Sequence, residues 1–174
     1  MEILFTQNTH DRHKISPGIF MDIETAEYWM REAIAEARAA GSEAEVPVGA
    51  IVLLNEKIIG RGHNNPIGLC DPSAHAEILA IRQAAHNTRN YRLPGATLVV
   101  TIEPCVMCVG AMIQARIAEI VYGARDPKAG AVHSVFRLAD AKELNHRMQA
   151  SGGILEEECG ALLKEFFSAR RYTS

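Results

Sequence analysis

Thr97-Leu98-Val99-Val100-Thr101-Ile102-Glu103-Pro104-Cys105-Val106-Met107-Cys108 decides how this chain is built. Its first six residues are β-branched or apolar, with no strict in-out alternation, which predicts a strand buried on both faces. Glu103-Pro104 then opens a helix over roughly 104–115, since proline is tolerated in a first turn. A short strand follows at Glu119 to Tyr122. Upstream, Asp71-Pro72-Ser73 reads as a helix entry, with Asp71 or Ser73 as cap and the helix running to about Ala85. Before it, Val48 to Leu54 is a continuous apolar run, Asn55-Glu56-Lys57 a turn and Ile58-Ile59 the start of a partner strand, together a hairpin. Ala26, Trp29, Met30, Ala33, Ile34 and Ala37 recur at steps of three and four, predicting an amphipathic helix over 25–40 that stops at Gly41. Downstream, 130–154 is ambiguous and is expected to hold a helix and a strand. Leu155, Cys159, Leu162, Leu163, Phe166 and Phe167 mark a final amphipathic helix. Helices alternating with buried strands imply an α/β layered domain, and the hairpin makes its sheet mixed.

Composition limits what such a domain does. The chain has 174 residues, 48% hydrophobic and 22% charged, which suits one folded domain and excludes wholesale disorder. No apolar run approaches the ~18 residues of a membrane span. With 18 basic and 21 acidic residues the net charge is −3, so the chain as a whole is no basic nucleic-acid binder, although a local basic patch remains open. Cys70, Cys105, Cys108 and Cys159 are too sparse for a disulfide scaffold, and residues 1–20 lack the apolar core of a secretory signal. The expectation is a cytoplasmic chain with reduced cysteines, residues 1–20 a disordered extension and 21–174 a single domain.

Two short stretches carry chemistry: His75-Ala76-Glu77 and Pro104-Cys105-Val106-Met107-Cys108. The 26 residues between Glu77 and Pro104 accommodate the rest of one helix, a turn and one strand, which sets two helix starts side by side at one end of a sheet. Taken alone, His-x-Glu means nothing. A lone Cys-x-x-Cys fits a redox pair, two buried small residues, or half of a structural zinc site that Cys70 or Cys159 completes. Together the stretches match the zinc-deaminase pattern H-x-E…P-C-x-x-C. One imidazole and two thiolates make three ligands, and catalytic zinc keeps its fourth position open. Water there has its pKa lowered toward ~7 and becomes a nucleophile at neutral pH. Glu77, not a ligand, is placed to move protons from that water to a ring nitrogen and a departing amine. One geometric difficulty remains, because positions i and i+2 of a helix lie about 200° apart. His75 and Glu77 converge only over a first turn, with His75 reaching back.

These residues resemble the bacterial tRNA-specific adenosine deaminases, members of the zinc-dependent cytidine and deoxycytidylate deaminase superfamily. The likeness covers about residues 21–172. It rests on Glu45-Val-Pro-Val-Gly-Ala50, Asn64-Asn-Pro-Ile-Gly68, Asp71-Pro-Ser-Ala-His-Ala-Glu-Ile78, Asn90-Tyr-Arg-Leu93, Val100 to Cys108, Tyr122-Gly-Ala-Arg-Asp-Pro127, and Phe166-Phe167 with Arg170-Arg171. It implies a cytidine-deaminase-like three-layer α/β/α sandwich with a five-stranded mixed sheet. One zinc per chain is implied, held by His75, Cys105 and Cys108, with Glu77 as the proton shuttle. So is a homodimer that converts the wobble adenosine of a tRNA anticodon stem-loop to inosine.

By the same resemblance, Asn64 bonds the flipped base or its sugar, Pro47 and Val48 wall the pocket, and Asp126 lies beside the anticodon nucleotides. Phe167, Arg170 and Arg171 touch RNA. Each has a plainer reading: Asn64 as a turn former, Val48 as core, Asp126 as turn chemistry before Pro127, Phe167 as helix packing and Arg170-Arg171 as a solvated helix end. Residues 1–20 fall outside the family pattern, and 129–136 match it weakly. Two other functions stay open: a deaminase of free bases or nucleosides, and a non-catalytic zinc- or RNA-binding subunit. The intact Glu77 speaks against the second.

Overall fold

The computed structural model describes residues 21–171, so the expectation for residues 1–20 lies outside the described residues. The elements in chain order are α1 (Ile23–Ser42), β1 (Gly49–Leu54), β2 (Lys57–His63), α2 (Ala76–Thr88), β3 (Thr97–Ile102), α3 (Val106–Ala115), β4 (Glu119–Ala124), β5 (Gln149–Gly152) and α4 (Glu156–Arg171). The five strands form one sheet in the order β2-β1-β3-β4-β5. β1 runs antiparallel to β2 and β3, whereas β3, β4 and β5 are mutually parallel. The sheet is therefore mixed, as the hairpin implies.

Residues alternate between two cores. Ala50, Val52, Leu98, Val100, Ile120 and Tyr122 pack against α2 and α3 on one face. Ile51, Leu53, Val99 and Val121 pack against α1 and α4 on the other. Helices on both faces explain why β1, β3 and β4 read as unbroken apolar runs rather than alternating ones. The result is the three-layer α/β/α arrangement with a five-stranded mixed sheet.

Several boundaries differ from expectation. Gly41 does not stop α1, which continues through Ser42. The β1–β2 turn needs only two residues, Asn55 and Glu56, both at positive φ, the conformation that matches strand twist in a tight hairpin. Asp71-Pro72-Ser73 does not begin α2. The Asp71 carboxylate accepts the Ser73 N–H and hydroxyl at 2.8 and 2.7 Å, closing a turn, and the helix starts at Ala76. α3 starts at Val106 rather than 104. Of the helix and strand expected in 130–154, only the strand β5 exists.

Candidate metal centre and pocket

α2 and α3 start side by side, and in each the residue just before the first helical turn carries a sulfur or nitrogen donor. His75 occupies the N-cap of α2 in extended conformation (φ −74, ψ 151) and Cys105 that of α3 (φ −78, ψ 173). An N-cap side chain ordinarily turns back to accept a helix N–H. Neither does so here. For α2 the acceptor comes instead from Asn64, whose Oδ1 takes the Ala76 N–H at 2.9 Å and leaves the imidazole free. The i, i+2 difficulty dissolves for the same reason: His75 lies outside the helix, while Glu77 is in its first turn.

The His75 Nδ1 lies 3.7 Å from the Cys105 Sγ and 3.5 Å from the Cys108 Sγ, and the two sulfurs are 3.7 Å apart. A tetrahedral zinc at about 2.3 Å from sulfur and about 2.1 Å from nitrogen requires donor separations of roughly 3.6–3.8 Å. The triangle therefore fits the ion. Among the described residues these three form the one His/Cys/carboxylate group close enough to hold a metal, so neither Cys70 nor Cys159 supplies a fourth ligand. Cys70 is exposed and Cys159 buried elsewhere.

Protonation follows the geometry. Hydrogen bonding with Cys108, joined by that with His75, outweighs burial and brings the Cys105 thiol down to about 4. The Cys105 contact and burial push Cys108 up, so that it keeps its proton. The bond to Cys105 raises His75. Loading a divalent cation on this set must release protons. Burial raises the Glu77 carboxyl, which is only 3% exposed, against the pull of its own backbone N–H and of His75. A buried carboxyl beside a ligand triangle is poised to take and return a proton.

His75, Glu77 and Cys105 open onto a cavity of about 430 Å³, while Cys108 is fully buried. Val46, Val48, Ile102, Leu163 and Phe167 line it with apolar surface, and Asn64, Asp126 and Lys128 with polar groups. Of the residues named from sequence, the structure brings Asn64, Val48, His75, Glu77, Cys105, Asp126 and Phe167 together there. Pro47 is not among the lining residues. Extended backbone sends alternate side chains opposite ways, so Val46 and Val48 face the cavity while Pro47 is buried near Gly41 of α1. Arg170 is also absent from the lining: its guanidinium donates to the Ala44 carbonyl and lies 4.3 Å over the Phe166 ring. Arg171 is the last described residue of α4. Asp126 accepts the N–H groups of Lys128 and Ala129 at 2.9 and 3.1 Å, so its turn role and its place in the cavity coexist.

Sequence reasoning missed Val46, Ile102, Leu163, Lys128 and Ala129 as lining residues, and missed the part played by Glu103. A signal for Glu103 did exist. A carboxylate at the end of a doubly buried strand must find donors, and this one, 1% exposed, finds five.

Residues 23–124 match the family model described as the cytidine and deoxycytidylate deaminase zinc-binding region. The chain is 46% identical over 149 residues to a tRNA-specific adenosine deaminase of Haemophilus influenzae, covering 85% of this chain and 86% of that one. It is 43% identical over 145 residues to the Bacillus subtilis protein of the same name, covering 83% and 90%. A solved structure from studies of A-to-I editing by tRNA:A34 deaminases at the wobble position of transfer RNA superposes with a TM-score of 0.76. That pair is 43% identical, covering 78% of this chain and 99% of the other.

Proposed function

The chain belongs to the zinc-dependent cytidine and deoxycytidylate deaminase family, among its tRNA-specific adenosine deaminases, and from that premise we propose that it hydrolyses the wobble adenosine of a tRNA anticodon to inosine, releasing ammonia. The observation that carries this reading is the triangle of His75, Cys105 and Cys108, with His75, Cys105 and buried Glu77 lining one cavity.

His75, Cys105 and Cys108 hold the zinc, which when bound supplies an activated water for attack on C6 of the base. Glu77 accepts one proton from the attacking water and delivers it to the ring nitrogen, then takes the remaining proton of the newly added hydroxyl and passes it to the amine, which leaves as ammonia. Its burial favours this traffic, because a carboxylate pushed up in pKa is a stronger base for the water proton and, once protonated, stays protonated until the reacting nitrogen takes the proton. Asn64, with Oδ1 committed to the Ala76 N–H, keeps its amide N–H groups for the base or ribose. Val46 and Val48 flank the ring. Asp126 lies beside the neighbouring nucleotides. Phe167, half exposed, offers a face on which an unstacked base can rest, and Arg170 and Arg171 near the end of α4 meet phosphate.

A second copy of the chain completes the reading. Val106 and Met107, apolar and exposed in the turn after Cys105, give it a contact, and light scattering at micromolar concentration tests it. A tRNA substrate places the work in the cytoplasm. Among the described residues no helix is long and apolar enough to cross a membrane.

The decisive experiment incubates purified protein with an anticodon stem-loop bearing adenosine at the wobble position, and separately with free adenosine, cytidine and guanine. Nucleoside digestion and mass spectrometry should find inosine at the wobble position, with one zinc per chain. Glu77→Gln should lower turnover roughly a hundredfold or more while keeping the metal. Deamination of the free compounds alone would move the substrate class, and an active Glu77→Gln would remove the proton shuttle.

A further inference from the structure

We propose that Glu103 is a positioning residue for the RNA: its buried carboxylate fastens the 125–136 loop against the pocket and so sets how firmly the substrate is gripped, a role that rests on the tRNA reading above. Glu103 directly follows β3, two residues before Cys105. Its Oε1 accepts the N–H groups of Val132, His133 and Ser134 at 3.1, 2.7 and 2.9 Å. Its Oε2 accepts the Asp126 N–H at 3.2 Å and the Ser134 hydroxyl. A carboxylate offers about four lone-pair sites, so this one is saturated by a single loop.

The loop needs such an acceptor. It is the first half of the 125–148 connection from β4 to β5, which holds no helix, and its one strand-like contact is the Cys105–Gly130 bridge. Val132 is nearly fully buried, and a buried N–H without a partner is costly. The same loop places Asp126, Lys128 and Ala129 in the cavity lining. By contrast, His75 and Glu77 are set by the start of α2, and Cys105 and Cys108 by that of α3. Loosening the loop should therefore weaken substrate binding while sparing the chemical step.

The fastening can also be disturbed from its other side. A Cβ on Gly130 would lie 2.5 Å from the Glu103 carboxyl carbon and 2.6 Å from the Asp126 carbonyl oxygen. Gly130→Ala thus presses the loop off the carboxylate with Glu103 intact.

Glu103→Gln, Gly130→Ala, Ser134→Ala and the Glu103→Gln/Gly130→Ala double variant would be compared on the stem-loop. Glu103→Gln and Gly130→Ala should raise KM about tenfold with kcat within about threefold and zinc content unchanged. Amides 132–134 should exchange faster with solvent in both. Ser134→Ala, which leaves the backbone donors in place, should show a smaller effect in the same direction. The double variant should be no worse than the more affected single one, since both break one contact. A fall in kcat at unchanged KM, loss of zinc, or unchanged exchange would each overturn the assignment. Should Glu103→Gln fail to fold, Gly130→Ala and Ser134→Ala decide the matter. If the unaltered protein ignored the stem-loop altogether, the substrate reading would fall, while the exchange measurement would still decide whether Glu103 fastens the loop.

Discussion

The same thiol behaves differently at each of four positions. Cys70 is exposed, Cys105 is a thiolate at neutral pH, Cys108 holds its proton, and burial of the inner face of α4 pushes Cys159 up to about 12. Only a thiolate with access to solvent reacts. Treatment of the zinc-loaded protein with iodoacetamide near pH 8 should label Cys70 and leave Cys159 untouched, and chelation should then expose Cys105. Peptide mass spectrometry reads this directly, and label on Cys159 in folded protein would contradict its burial. Glu103 gives a second prediction at this scale, with a definite sign. Burial pushes its carboxyl up, but the hydrogen bonds from the 126–134 segment prevail and hold it below the usual 4.5. A carboxyl depressed on folding stabilises above its unfolded pKa, and that stabilisation is lost as pH falls through the folded value. The Tm advantage of the unaltered protein over Glu103→Gln should therefore be full at pH 7 and shrink below about pH 4.5. An advantage that grew on acidification would reverse the argument.

Among the elements, β2 and α2 approach each other closely through two glycines. A Cβ on Gly62 would lie 2.4 Å from the Ala76 carbonyl oxygen, and one on Gly60 would lie 2.3 Å from that of Ala80. Nothing larger than hydrogen fits, because α2 lays its small residues Ala76, Ala80 and Ala84 directly on the strand. Overpacking of this kind costs about 1–3 kcal/mol. Gly62→Ala and Gly60→Ala should both lose that much in urea unfolding. Gly62 bears on the helix start that carries His75 and Glu77, so its variant should also lose roughly a hundredfold in kcat/KM, the usual result of displacing reacting groups by ~1 Å. Gly60→Ala, one turn further along, should lose far less. Equal activities in the two variants would show that the helix start does not set the site.

Such contacts also mark the limit of what the sequence tells. β1, β3 and the α1 periodicity are legible because burial on one or both faces is written in neighbouring residues. The true start of α2 is not, since the acceptor for the Ala76 N–H is Asn64, twelve positions away, while the local Asp71-Pro72-Ser73 signal belongs to a turn. The 125–148 connection misleads in the same way: a buried carboxylate from β3 supplies the order that a helix was expected to give. The ligand triangle, by contrast, was legible as residue types and spacing. Its convergence depended on His75 standing outside its helix, a backbone detail that composition does not carry.

At the scale of the whole molecule the question is whether the metal holds the fold or only the chemistry. Two cores, one on each face of the sheet, take in only two of the ligand residues, Cys108 as a buried member of one and Cys105 packed against it, among about two dozen other buried side chains. All three donors come from the starts of two neighbouring helices, so the ion staples α2 to α3 locally rather than closing the chain. Its contribution should then be that of a ligand bound to an already folded state, about 2.7 kcal/mol at a free zinc concentration one hundred times Kd. For a chain of this size that corresponds to a Tm shift of roughly 5–10 °C. Chelation should lower Tm by that amount and leave the far-ultraviolet circular dichroism at 25 °C unchanged. Because His75 is held above its usual value and Cys108 retains its proton, zinc competes with protons, and affinity rises as they are removed. The gap in Tm between loaded and stripped protein should therefore widen from pH 6 to pH 8. A chain that unfolds on chelation, or a gap that narrows over that range, would mean that the metal is a structural cross-link instead of a guest at a site the fold builds without it.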